Sequence, residues 1–437
     1  MLNVPYKVKM KKVVCLCLFL VLSLTGCSES QTSQTNTNQT TQKQADVSTT
    51  TTVLNTNQSN QNENDKYKTL ISSGNKLEIV RRPPAADYTF FNPGKLKALP
   101  KASEMGEFDL RSSDLTEIDL GNHLQDLLKC NFDTVTKWPD KLPSGFNPQS
   151  IMELGKNPGL NIRNLHKKGI TGKNVGIAII DQALLVDHIE YKDRLKSYEE
   201  IHSSAINAQM HGSAVSSISV GKSVGVAPEA DLYYIAADRG TSDGNSFEYD
   251  VTWIAKSIDR IVEINKTLPK EKKIRVISIS LGIGKEMNNY QEAFDAIQRA
   301  AKEGICTIHV GSNSFAGAGR DPLKSADNIS SYCVGEWIKS NMPYMDKKLL
   351  VPMDSRCTAS PTGEKDYVFY RYGGESWVAP YVAGLYALSC QVNPDITPEI
   401  FWDQAFKTCD SIQVDSKGTK GKMVNPVKLI EVIQKLK

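Results

Sequence analysis

Gly172-Lys173-Asn174-Val175-Gly176-Ile177-Ala178-Ile179-Ile180-Asp181 reads as a polar turn, an unbroken run of small and apolar residues, and one terminal carboxylate. A strand with one face in water alternates apolar and polar residues. An unbroken run from Val175 to Ile180 instead predicts a strand buried on both faces, as in a parallel sheet. Asp231–Ala237, Val276–Leu281 and Cys306–Gly311 have the same character. Between these runs, Val251, Ile254, Ile258, Ile261 and Val262 share one face of a predicted helix, and Phe294, Ile297 and Ala301 share one face of another. Strands alternating with amphipathic helices predict the α/β class, a parallel sheet flanked by helices on both faces. In open sheets of this class, ligands sit at the carboxyl ends of the strands, so the residues just after each apolar run carry the chemistry.

Those residues are specific. The first run ends in Asp181. Downstream, Met210-His211-Gly212-Ser213-Ala214-Val215 opens a small-residue helix, and Val224-Gly225-Val226-Ala227-Pro228 follows it. A later run ends in Gly311-Ser312-Asn313. Near the C-terminus, Gly374-Glu375-Ser376-Trp377-Val378-Ala379-Pro380 leads into the helical Tyr381-Val382-Ala383-Gly384-Leu385. An Asp, a His, an Asn and a Ser in that order, each at a strand end or helix start, form a hydrolase constellation, and Asp…His…Ser is the chain order of subtilisin. On these residues the stretch of about 160–437 resembles the subtilases, the subtilisin-like serine peptidases. The resemblance extends through Val392-Asn393-Pro394-Asp395-Ile396-Thr397-Pro398 to Val424-Asn425-Pro426.

The resemblance implies a subtilisin-like parallel sheet and a role for each residue. Ser376 is the expected nucleophile, inert at neutral pH until a positioned base takes its proton. His211 is the expected base and then the acid toward the leaving amine, and Asp181 the carboxylate that orients the imidazole. Asn313 is expected to donate its side-chain amide to the oxyanion beside the Ser376 backbone N–H. Loss of such a donor costs about 100- to 1000-fold in turnover. Ser280-Leu281-Gly282 matches the edge that pairs with substrate backbone as an added strand. Taken one at a time, the same residues have ordinary explanations: Ser376 as a helix cap, Asp181 and Asn313 as turn residues, and Leu281-Gly282 as a simple strand end. His188, in the loop after Asp181, is read as packing.

Some positions depart from the family pattern. Glu375 stands where a Thr is usual and Trp377 where a Met is usual. Gln182-Ala183 replaces a small polar residue and Gly, Ala214 replaces a second His, and Ser312 replaces a Gly. None removes a triad member. A carboxylate at Glu375, however, opposes the negative charge formed beside Ser376 unless it is turned away or paired, and Trp377 narrows the site. The expected function is therefore a serine endopeptidase. The alternative is a weak or inactive subtilase-fold protein that binds peptides or regulates a partner. A solute-binding lipoprotein, the third class considered, gives no reason for the ordered Asp, His, Asn and Ser.

The N-terminus reads as an address. Lys7, Lys9, Lys11 and Lys12 precede a run from Val13 to Leu24 that is apolar except for Ser23, predicting a secretory leader too short to span a bilayer comfortably. Leu24-Thr25-Gly26-Cys27 resembles the lipobox of bacterial lipoproteins, which implies a leader of residues 1–26, lipid on Cys27 and anchoring at the extracytoplasmic face of the cell membrane. Residues 27–65 are nearly all Ser, Thr, Asn and Gln and predict a tether spanning about 35 Å root-mean-square. Residues 66–154 form an N-terminal extension with Phe108-Asp109-Leu110, Ser113-Asp114-Leu115 and Ile118-Asp119-Leu120 at a five-residue period. Three such copies cannot bury a solenoid core alone, so a strand-rich extension packed on the next domain is expected, with a removable pro-region as the other option. Residues 155–437 form the peptidase domain.

The 437-residue chain, 40% hydrophobic and 23% charged, excludes collagen-like, coiled-coil and wholly disordered classes. Its formal net charge of +3 is more than accounted for by the four leader lysines, so no nucleic-acid partner is expected. The expected partners are a peptide or protein substrate and the membrane at Cys27. No cofactor is expected. Structural calcium is common in the resembling family, but no compact run of carboxylates locates a site here and no metal ligand is assigned. Cys130, Cys306, Cys333, Cys357, Cys390 and Cys409 allow up to three disulfides in fifteen connectivities, or serve as small buried hydrophobes.

Overall fold

The computed structural model describes residues 66–74, 76–88, 95–242, 246–311, 314–336, 347–414 and 418–436. The chain divides into two units, Met1–Asn55 and Thr56–Lys437. The first, with the leader and Cys27, lies outside the described residues, as does Asn313.

A six-stranded sheet organises the second unit, in the order Lys68–Leu70, Leu195–Ser203, Asp231–Ala237, Gly176–Asp181, Ile274–Gly282, Cys306–Val310. All neighbours are parallel except the first pair, where Lys68–Leu70 runs antiparallel to Leu195–Ser203. Gly176–Asp181 sits centrally and is buried at every position. Side chains alternate across a strand, so Ile177 and Ile179 join one core while Ala178 and Ile180 join the other. That two-sided demand produces the unbroken apolar run. Each fully buried isoleucine is worth roughly 1.5–3 kcal/mol relative to an exposed one.

Thr252–Thr267 and Tyr290–Lys302 cover the Ala178 face. The first buries Ile254, Ile258, Ile261 and Val262 as expected. Of the expected face of the second, only Ile297 packs on this core. Phe294 and Ala301 are exposed, and Ala293, Ala296 and Ala300 are buried instead. An alanine stripe lets this helix approach its neighbours closely, which a phenylalanine face does not. Met210–Val220 and Val378–Val392 pack on the Ile177 face. Both are buried all round, which matches their small and apolar sequences. Later helices begin on an Asn or Thr cap followed by Pro: Thr397 accepts from Ile400 N in Pro398–Thr408, and Asn425 from Lys428 N in Pro426–Lys435.

The extension is built into this unit. Its Lys68–Leu70 strand closes the sheet edge. Ser72 N donates to Glu199 Oε1 at 3.2 Å, and Arg81 pairs with Glu200 at 2.6 Å, both carboxylates lying in the strand that Lys68–Leu70 joins. Farther along, Phe108–Asp109 pairs in parallel with Cys130–Asp133, Phe108 opposite Cys130 and Asp109 opposite Asn131, an offset of 22 residues. Asp114 bridges both Lys95 and Lys137, also in parallel. The extension is thus two stacked coils of a parallel solenoid, with a period in the leucine-rich-repeat range. Leu110, Leu115 and Leu120 are fully buried inside it. Cys130–Asp133 then pairs antiparallel with Tyr367–Tyr370, which pairs with Arg356–Ala359, so one four-stranded sheet joins the extension to the region from 155 onward. The Pro148–Lys156 helix, capped by Asn147, spans the 154/155 boundary.

All six described cysteines are free thiols. Cys130 and Cys357 sit in the core shared by the two parts, and burial pushes both thiols up.

Candidate functional site

Asp181 ends the central strand, at the carboxyl edge where the α/β rule places ligands. His211 lies in the first turn of Met210–Val220, and its Nδ1 meets Asp181 Oδ1 at 2.7 Å. Both side chains are less than a tenth exposed. Gln182 N also donates to Asp181 Oδ1, at 2.8 Å, fixing the carboxylate from its own loop. Gly212 is required beside His211: a Cβ there would collide with Gln182 O and with the Tyr234 hydroxyl, which itself donates to Gln182 O.

Ser376 sits in a short 3-10 turn, Glu375–Trp377, that runs directly into Val378–Val392. Its backbone N–H is therefore at a helix start, where donors face developing negative charge. Two hydrogen bonds tie this turn to the strand end of the expected substrate edge. Ser376 Oγ donates to Ser280 O at 3.3 Å, and Ser280 Oγ donates to Ser376 O at 2.8 Å. Leu281 and Gly282 follow as the half-exposed end of Ile274–Gly282.

The Trp377 indole lies 5.6 Å from the His211 ring and 5.4 Å from Tyr370, edge-on to the latter. It is buried and forms one wall beside His211. Burial pushes the Glu375 carboxyl up, against the pull of Lys348. His188 is fully buried, its Nε2 2.9 Å from Asp366 O, and has the packing role expected of it.

Asp181, His211, Ser376 and Ser280–Gly282, dispersed over some 200 residues of sequence, thus converge at one sheet edge. Among the described residues, no group of three His, Cys, Asp or Glu is arranged to hold a metal ion.

Two supporting residues carried no signal in the sequence. Asp354, 2% exposed, accepts from Gly373 N at 2.9 Å, three residues before the serine, and burial pushes its carboxyl up to about 7. Asn131 accepts from Arg371 N at 2.7 Å. Each acts on the backbone of a residue hundreds or tens of positions away, so no local pattern marks it.

Residues 172–331 match the model of the Subtilase family. That stretch contains Asp181, His211, Ser280–Gly282 and Asn313 and stops short of Ser376. Over 221 residues the chain is 27% identical to Subtilisin-like protease 2 of Arthroderma otae, covering 49% of each chain. Over 163 residues it is 28% identical to Alkaline protease 1 of Aspergillus oryzae, covering 36% of this chain and 37% of that one. The chain spans half or less of the length of the curated relatives it matches. Among solved structures it is similar to the prenylagaramide maturation protease PagA, with TM-score 0.43 and 17% identity over 62% of this chain and 98% of that one. It is also similar to a cold adapted subtilisin-like serine proteinase, with TM-score 0.41 and 18% identity over 58% of this chain and 89% of that one.

Proposed function

We propose that the protein is a serine endopeptidase. The observation that carries this reading is the 2.7 Å His211–Asp181 contact at the sheet edge to which the Ser376 turn is tied through Ser280. His211 takes the Ser376 proton through Nε2 as Oγ attacks a peptide carbonyl, while Asp181 holds the Nδ1–H tautomer and stabilises the imidazolium without taking its proton. The Ser376 N–H and Asn313 amide stabilise the oxyanion. His211 then gives the proton to the leaving amine, and water hydrolyses the acyl-enzyme by the same route in reverse. Ser280–Gly282 presents its open end to the substrate backbone. We further propose that Cys27 is lipidated and holds this head at the outer face of the membrane on the 27–65 tether.

The test is covalent. The purified full chain is treated with a fluorophosphonate probe beside Ser376→Ala and His211→Ala. Labelling of the parent that both substitutions abolish supports the reading. An unlabelled parent that is correctly folded overturns it. Glu375 and Trp377 would then mark a peptide-binding protein on a peptidase fold.

A further inference from the structure

The strand that delivers the nucleophile is held by the solenoid coils along almost its whole length. Val368 pairs with Asp133 and Phe369 with Phe132. At the near end, Thr134 N donates to Tyr367 O at 2.9 Å, and Tyr367 N to Thr134 Oγ1 at 3.1 Å. Past the ladder, Arg371 N donates to Asn131 Oδ1 at 2.7 Å, and Arg371 Nε donates to Leu128 O at 3.0 Å. Glu107 faces the Asn131 side chain and the Tyr372 backbone. Gly373 is then taken by Asp354, and Ser376 follows within three residues. The apolar side is equally shared: Leu110, Leu115, Leu120 and Phe132 pack in one core with Val224, Cys357 and Phe369.

The Asn131 contact is a specific one. Asn131 is 7% exposed and stands opposite Asp109 in the inter-coil ladder. Its amide therefore continues the hydrogen bonding of the nucleophile strand by one residue after the backbone ladder ends. Replacing a buried acceptor with an apolar group leaves the Arg371 N–H without its partner. The freed backbone lies five residues from Ser376.

Resting on the serine-peptidase reading, we infer that Asn131 is a positioning residue for the nucleophile loop and that the coils carrying it stay on the working protein. The extension is then a permanent wall of the catalytic unit, in contrast to a pro-region that is cut away.

The experiment compares parent, Asn131→Leu and the double variant Asn131→Asp with Glu107→Gln, all as the full chain. The double variant keeps an acceptor for Arg371 N–H and a donor–acceptor pair with residue 107. Asn131→Leu is expected to slow fluorophosphonate labelling per folded molecule about 10- to 100-fold, as small misplacements of reacting groups do, with the double variant recovering to within about threefold. Intact mass of the labelled parent is expected to retain residues 95–147. Amide hydrogen exchange supplies a readout that needs no activity: residues 371–377 are expected to exchange faster in Asn131→Leu while the Ile274–Gly282 strand is unchanged. Unchanged exchange at 371–377, or exchange accelerated equally throughout, overturns the inference, as does a labelled species lacking residues 95–147. An unlabelled parent with the expected local exchange defeats the peptidase reading alone.

Discussion

At Glu375 the chain places an acid next to its proposed nucleophile. Burial keeps the Glu375 proton on to higher pH than for an ordinary glutamate, while Lys348 pulls the other way. While protonated, the side chain adds no charge beside Ser376. Once ionised it opposes the oxyanion. The labelling rate of the parent is therefore expected to fall as pH rises through this ionisation, and Glu375→Gln to remove the fall without altering the acid limb. A pH series of second-order fluorophosphonate rates checks this, and superimposable profiles would show that the carboxylate has no influence on the site. Asp181, His211 and Ser376 were legible in the sequence because each carries neighbours that its own chemistry demands: a strand before the Asp, Gly after the His, small residues and Pro after the Ser. Asn131 and Asp354 were not legible. Their role is to accept backbone N–H groups, that of Arg371 for Asn131 and those of Gly373 and Glu336 for Asp354, and any chain segment offers those.

The elements set the Asp181–His211 pair by close approach of a helix and a strand end. Gly212 leaves no space for a Cβ between Gln182 O and the Tyr234 hydroxyl, so the helix carrying His211 can rest directly on the loop after Asp181. Gly212→Ala is expected to push the helix away, lengthen the 2.7 Å His211–Asp181 contact and cut labelling by at least about 100-fold. Thermal unfolding and labelling measured on the same sample check it. Full labelling by the variant would mean that the helix is free to shift without loss. The buried strands were readable because two-sided burial leaves an unmistakable apolar run. The Tyr290–Lys302 face was misread because a close-packed helix selects small residues, and hydrophobicity scales reward Phe294 over Ala293. In the extension, the five-residue spacing of Leu110, Leu115 and Leu120 is real but lies within one coil. The 22-residue offset between coils shows itself only in the backbone pairing, since Leu110 and its counterpart Phe132 share burial and not identity.

Across the whole molecule, two carboxyls flank the backbone just before Ser376, one from each part of the chain, Asp354 buried and Glu107 half-buried. Glu107 of the extension and Asp354 of the C-terminal region are both pushed up to about 7, in each case mainly by burial. For Glu107, Asp109 adds to the rise while Asn131, Arg111 and the Tyr372 backbone oppose it. For Asp354, Glu336 adds a little while the Gly373 and Glu336 N–H groups and Arg371 oppose it. A carboxyl with a raised folded-state pKa binds its proton more tightly folded than unfolded. Its contribution is fully present below the unfolded value near 4 and is lost as pH rises to about 7. Glu107→Gln with Asp354→Asn holds both sites permanently neutral. The parent and this double variant are therefore expected to have similar unfolding free energies near pH 4, and the parent to become the less stable of the two progressively up to pH 7 and to remain so above it. Urea unfolding at intervals from pH 4 to pH 8 gives the difference directly, with other titrating groups cancelling between the two proteins. A difference that is flat with pH would mean that the two carboxyls titrate alike folded and unfolded. A parent that gains on the variant with rising pH would mean that ionised Glu107 and Asp354 are better solvated by the Gly373, Tyr372 and Asn131 donors than burial allows. The joint between the extension and the Ser376 loop would then be held by charge.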